Sequence, residues 1–206
     1  MLKLWGRQNS INVQKIMWTV AELGLEIEHI NAGMDFGLVT EPWFGDINPN
    51  RRVPAINDDG LKLWESNVIV RYLATKHSPG SMMPSTIEGR AQVEMWMDWQ
   101  QTTLMPGLGP LFLGLVRTPA RDRNLNVMGS AAREVEAGLR VLDGHLTGKT
   151  FIMGDAFTAA DIALGCVAYR WYTLDIDHAD LPNLNAWYEH LKKRHGFAKN
   201  VMLPLT

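Results

Sequence analysis

The sequence predicts two units of different class: a small mixed α/β domain over residues 1–77, then an all-helical domain over residues 87–206. Three observations predict this. Short alternating runs and helical runs are interleaved up to His77. Ser78-Pro79-Gly80-Ser81-Met82-Met83-Pro84 then gathers the residues that end regular structure, so 78–86 reads as a linker. Beyond Thr86 the apolar residues recur with helical spacing and strand signals stop.

Leu2 to Trp5 reads as a short strand. Ile11 to Leu23 carries Val13, Ile16, Met17, Val20 and Leu23 at helical spacing, and Gly24 ends it. Glu26 to Ile30 alternates and reads as a second strand. Gly33, Gly37, Pro42, Gly45 and Pro49 interrupt the following segment, leaving room for a short helix near Glu41 to Asp46. Ala55-Ile56-Asn57 and Leu61-Lys62-Leu63 flank Asp58-Asp59-Gly60, a hairpin turn. Glu65 to Lys76 is helical, with Val68, Ile69, Tyr72 and Leu73 on one face.

In the second unit Ile87 to Met105 reads as one long helix. Pro106, Gly107, Gly109 and Pro110 are expected to break or kink it, with helix resuming over Leu111 to Val116. Val127 to Leu146 is the next helix. Thr158-Ala159-Ala160-Asp161 resembles a capping box with Asp in place of Glu or Gln, and Phe157 is placed to staple onto Ile162. That helix runs to about Tyr172. Pro182 and Asn183 precede a last helix, Leu184 to Arg194. Its Lys192-Lys193-Arg194 end reads as a solvated last turn whose cations suit the helix dipole.

Bulk properties exclude several classes. With 206 residues, 46% of them hydrophobic, the chain can bury a sizeable core. A net charge of −2 argues against nucleic-acid and anionic-membrane partners. No apolar run reaches the ~18 residues of a membrane span. The N-terminus meets polar residues too early for a signal peptide, so a cytoplasmic location is expected. Cys166 stands alone, which rules out an internal disulfide, and its apolar helical setting reads as buried and inert. No His, Cys, Asp and Glu grouping has metal-ligand spacing.

Three short segments carry chemistry. Pro54 cannot donate to a strand ladder, so it belongs at a strand start or edge. A cis Val53-Pro54 bond would turn the Val53 N–H and C=O outward to pair with an extended peptide; a trans bond would only open a strand. Ser66, on the first turn of a helix, can bind a carboxylate through its N–H and hydroxyl, while Glu65 accepts an ammonium. The same two residues can instead simply cap that helix. Ser10 precedes the first helix, where its hydroxyl can donate to a bound thiolate or serve as an N-cap. Asn12 stands beside it.

Taken together, Ser10-Ile11-Asn12-Val13-Gln14-Lys15, Asn48 to Pro54, Trp64 to Leu73 and Thr158 to Ala163 resemble, in order and spacing, the bacterial cytosolic glutathione S-transferases. The resemblance covers nearly the whole chain. It implies a thioredoxin-like first domain and an all-helical second domain. It implies a cis Val53-Pro54, with the Val53 backbone binding the cysteinyl part of glutathione. It further implies the γ-glutamyl end at Glu65 and Ser66, and Ser10 as the residue that activates the thiol. Asn12 opens a second possibility, because Ser10-Ile11-Asn12 also resembles the Thr-Pro-Asn segment of Nu-class members, which favour glutathione disulfide chemistry. One departure from the family stands out: no basic residue lies between His29 and Arg51 to hold the glycine carboxylate. Arg52 is the substitute candidate, and Trp43 a weaker one.

The reading is therefore transfer of glutathione, as co-substrate and without a metal, to a small apolar electrophile. The electrophile pocket is expected near Gln8, Trp99, Thr103 and Phe112, with Trp171 and Tyr172 able to close it. Two other readings stand beside it: a glutathione-dependent disulfide or peroxide reductase, and a non-catalytic module of the same fold. The resemblance also implies a homodimer that packs one subunit's sheet domain on the other's long helices.

Overall fold

The computed structural model describes residues 1–206. Its first part holds four strands: β1 (Leu2–Trp5), β2 (Glu28–Ile30), β3 (Ala55–Asp58) and β4 (Leu61–Trp64). They lie in the order β2-β1-β3-β4, with β1 parallel to β2 and the other two pairs antiparallel. Leu4 is paired with His29 on one side and Ile56 on the other. Strand period decides what each face buries. Leu2, Leu4 and Ile56 join the main core with Ile16 of α1 (Ile11–Glu22) and Ile69 of α3 (Ser66–His77). Trp5 and Ala55 point the other way, onto Phe44 of the short α2 (Pro42–Gly45) and onto Ile47. The second strand is shorter than the sequence suggested, because Glu26 and Ile27 do not join the sheet.

The second part is helical: α4 (Ile87–Trp99), α5 (Met105–Phe112), α6 (Leu125–His145), α7 (Ala159–Thr173), α8 (Pro182–Lys192) and α9 (His195–Asn200). Of the break or kink expected at the prolines, the break does not occur. Helix runs on from Ile87 to Arg117, with wide π-helical turns at Gln100–Leu104 and Leu113–Arg117. Pro106 falls in the first turn of α5, directly after the first wide turn, where its missing N–H leaves little unpaired. Helix α7 is buried from Ala159 to Trp171 and forms the axis of this part. It lies so close to α1 that a Cβ on Gly165 would sit 2.8 Å from the Trp18 ring. Asp161 at its start is buried and accepts the Thr158 N–H (2.8 Å) and the Ile152 N–H (2.9 Å). It also accepts the Thr158 hydroxyl (3.1 Å) and the Trp187 indole N–H (2.9 Å). Burial raises its pKa, and these donors oppose the rise.

The C-terminal basic run is not simply solvated. Arg194 donates to both Glu22 carboxylate oxygens, at 3.0 and 2.6 Å, and its guanidinium lies 3.8 Å from the Phe157 ring centre. It ties the helical part back to α1. Helix α9, absent from the sequence reading, packs on α1 through Phe197 and Trp18, whose rings are 4.7 Å apart. No helix is long and apolar enough to cross a membrane.

Lys15 joins the two parts. Its side chain is fully buried on α1. The ammonium donates to Asn67 Oδ1 and Gln100 Oε1, each at 3.0 Å, and lies 3.5 Å from Ser66 Oγ. Asn67 in turn donates to the Met97 carbonyl at 2.8 Å. All direct acceptors are neutral, so burial dominates and pulls the lysine pKa down to about 8, against the nearby Cys166 and Glu65. The unfolded lysine keeps its proton to about 10.5 and the folded one releases it near 8, so between those values the unfolded state binds more protons and stability rises with pH. Lys15→Met removes that gain. The stability of the wild type minus that of the variant then rises by about 3 kcal/mol from pH 8 to pH 10.5. Chemical denaturation at the two pH values measures it, and a gap that stays constant contradicts the buried charge.

Candidate active site

Two cavities open between the sheet part and the helices, of about 360 and 210 Å³. Asn12, Arg52 and Val53 line both, so the two form one cleft. The larger end is bordered by Ser10 and Ile11 at the start of α1 and by Gly109 and Phe112 of α5. The smaller end is bordered by Pro54, Glu65, Ser66 and Gln101.

Local sequence explains each placement. Ser10 is the residue before α1, with φ −84° and ψ 121°, and its side chain makes no capping bond. The competition between capping and ligand binding therefore does not arise, and the hydroxyl is left on the cleft wall. The Val53-Pro54 bond is cis. Ahead of it Asn48 braces the loop: its Nδ2 donates to the Arg52 carbonyl at 2.8 Å and its Oδ1 accepts the Asn50 N–H at 2.9 Å. Glu65 holds φ at 71°, a conformation that costs a non-glycine residue ~1–3 kcal/mol. Its exposed carboxylate makes no capping bond, so it is not there to cap α3. The Ser66 hydroxyl is not free, because it donates to Asn12 Oδ1 at 3.1 Å. The Ser66 N–H stands in the first turn of α3, where helix geometry leaves it without an intrahelical partner.

Family comparison fits this cleft. The family model described as glutathione S-transferase, N-terminal domain, matches residues 1–75, and the one for the C-terminal domain matches residues 116–190. Glutathione S-transferase GstB of Escherichia coli is 38% identical over 208 residues, covering all of both chains. The chain belongs to the glutathione S-transferase family. Glutathione S-transferase 3 of Zea mays is 30% identical, with 97% of this chain and 93% of that protein covered. The crystal structure of a theta class glutathione S-transferase from Xanthomonas axonopodis pv. citri, with glutathione bound, superposes with a TM-score of 0.95. It is 36% identical and covers 100% of this chain and 99% of that one.

This glutathione S-transferase gathers Ser10, Asn12, Arg52, Val53, Pro54, Glu65, Ser66 and Phe112 on the cleft, as the sequence suggested. The rest of the expected electrophile pocket lies elsewhere. Gln8 borders a separate hollow with Met17 and Leu203. Trp99 packs on Trp96 at 5.1 Å between ring centres. Thr103 falls in the π-helical turn and leans toward α6, 3.7 Å from where a Cβ on Gly138 would be. Trp171 is buried against His178, Tyr172 stacks on Tyr188, and neither closes the cleft. Trp43 packs on Trp5 and Phe44, away from it.

The larger cavity is also not the apolar pocket expected. Arg7, Arg51, Arg52, Arg117 and Arg170 line it, and no Asp or Glu does. Arg51 is engaged, donating to the Val39, Thr40 and Glu41 carbonyls at 3.4, 2.9 and 2.9 Å. Gln101, one residue past the Lys15 ligand Gln100, closes the smaller cavity and was also missed. Arg7 was open to a closer reading, since it stands three residues before Ser10 in the same loop. Cys166 is fully buried, and burial pushes its thiol up to about 12, partly opposed by Lys15 and Arg170. No three His, Cys, Asp or Glu side chains converge where they would hold a metal ion.

Proposed function

We propose that glutathione lies along the continuous cleft, with its γ-glutamyl end in the smaller cavity and its sulfur in the larger. On this reading residues 1–77 form the tripeptide-binding domain and 87–206 the domain that faces the electrophile. Glu65 accepts the ammonium, and the Ser66 N–H receives the neighbouring carboxylate with the help of the α3 dipole. Asn12 orients Ser66 through the 3.1 Å bond between them. The Val53 backbone pairs with the cysteinyl residue as an added strand. Arg52, whose side chain has no bond within the protein and which lines both cavities, holds the glycine carboxylate.

Ser10 donates its hydroxyl to the sulfur and favours the thiolate. The thiol proton passes to solvent. The sulfur then attacks an electrophilic carbon, forming the C–S bond as the leaving group departs with its electron pair. Proximity and thiolate stabilisation supply the rate. The observation that carries this reading is the Ser10 hydroxyl, free of any capping bond and set on the wall of the shared cleft. Disulfide reduction drew on Asn12 as a thiolate ligand; the Ser66 hydroxyl holds its Oδ1, which leaves the Nδ2 donor for a sulfur and keeps this as the second reading.

A two-fold dimer belongs to the same proposal. Trp64 and Val68 on the sheet part, and Met95 on α4, are exposed apolar side chains that a second copy would cover. Sedimentation at micromolar concentration is expected to give a dimer, and a monomer there would remove this part. For catalysis, Ser10→Ala is expected to raise the pKa of the bound thiol toward its free value of ~8.5 and to lower kcat roughly 10- to 100-fold. Titration of thiolate absorbance together with steady-state kinetics reads both. A variant with unchanged pKa and kcat would show that the serine is not the donor.

A further inference from the structure

Three arginines of the larger cavity have no task in the scheme above. Arg7 comes from the loop after β1, Arg117 from the wide turn that ends α5, and Arg170 from α7. All three line the larger cavity and none lines the smaller. Arg51 is taken up by loop carbonyls, and Arg52 stands at the junction with the smaller cavity.

Arg170 is the most telling. It is only 6% exposed. Its guanidinium lies 4.0 Å from the Phe112 ring centre and one nitrogen donates to the Asn9 carbonyl at 3.0 Å. Its Nε is buried without a partner, and so is the Nε of Arg7. The Arg117 guanidinium lies 5.1 Å from the same Phe112 ring centre and donates to the Thr206 carbonyl at 2.9 Å. Burial and then the Arg117 charge lower the Arg7 pKa. Burial, then Arg117 and Arg7, pull Arg170 down to about 10 against the nearby Cys166, so Arg170 stays cationic at neutral pH. Three like charges line one cavity with no acidic side chain on its wall, and two of the three side chains keep a buried Nε without a partner.

We infer that the electrophile of this transferase is a small organic acid, whose carboxylate is held by Arg7, Arg117 and Arg170 while its reactive carbon faces the sulfur near Ser10. This replaces the apolar electrophile that the sequence suggested. Planar guanidinium groups suit a carboxylate, which accepts two parallel N–H bonds. Ile11, Val39, Phe112 and Leu113 leave apolar wall for the carbon skeleton. In the reaction the glutathione thiolate forms a C–S bond, the carbon–halogen bond breaks with its pair on the halide, and the carboxylate is unchanged.

The inference rests on the glutathione reading, and the test separates the two. The probes are 4-chloro-3-nitrobenzoate and 4-chloro-3-nitrobenzamide, with the same ring and leaving group and only the charge removed. Calorimetry measures binding of glutathione and of the two product conjugates, and kinetics gives kcat/KM for both probes relative to their uncatalysed rates. The carboxylate conjugate and probe are expected to be favoured about tenfold or more. Arg117→Gln and Arg7→Gln are each expected to shrink that ratio severalfold. Because a general effect on the thiolate would move both probes alike, the ratio isolates the carboxylate contact. If glutathione binds but the ratio is near one, or if neither variant changes it, the inference is overturned and the glutathione reading stands. If neither conjugate binds while glutathione does, the inference is likewise overturned. If glutathione itself fails to bind, both fall.

Discussion

Lys15 carries an ammonium into the boundary between sheet and helices and gives it only neutral acceptors: Asn67, Gln100 and, more distantly, Ser66. Burying such a charge costs several kcal/mol, which hydrogen bonds offset only when their geometry is held. That requirement fixes three elements at once. Helix α1 brings Ser10 and Asn12, α3 brings Ser66 at its first turn, and the wide turn after α4 brings Gln100 with Gln101 beside it. The cleft inherits its shape from this contact, because residues on its walls are next to residues that hold the ammonium.

Charge is distributed along the cleft in a way that suits a ligand with unlike ends. Glu65 supplies the negative group at the smaller cavity. Five arginines line the larger one together with Ser10. In the proposed binding mode a thiolate beside Ser10 develops its charge among cationic side chains, which favour it. The aromatic face of Phe112 keeps Arg170 in place and limits its motion toward water.

The parts of the site that were legible in sequence are those with local causes. A proline after Val53, an acid–serine pair at a helix start and a serine before a helix are each read from neighbouring residues. Arg7 stands in the loop before Ser10 and has a local cause, whereas Arg117 and Arg170 were not legible, because segments far apart in sequence converge only through packing. Helix α7 is buried on every side, so its apolar pattern has no phase that singles out Arg170. The wide turns at Gln100–Leu104 and Leu113–Arg117 explain other misses. Each holds more residues than a normal turn and rotates the helix beyond it, so Thr103 leans toward α6 instead of the cleft. They also let helix continue where the Pro-Gly pattern of 106–110 suggested a break. Arg194 looked like a solvated end because its partner, Glu22, is far away in sequence.

The proposed chemistry of this cleft turns on where one sulfur atom lies. A crystal structure of the protein with glutathione bound measures it directly. The expected result has the sulfur within hydrogen-bond distance of the Ser10 hydroxyl, the γ-glutamyl carboxylate on the Ser66 N–H and the glycine carboxylate on Arg52. A tripeptide bound with its sulfur turned away from Ser10, or lodged outside the cleft shared by Asn12, Arg52 and Val53, would contradict it.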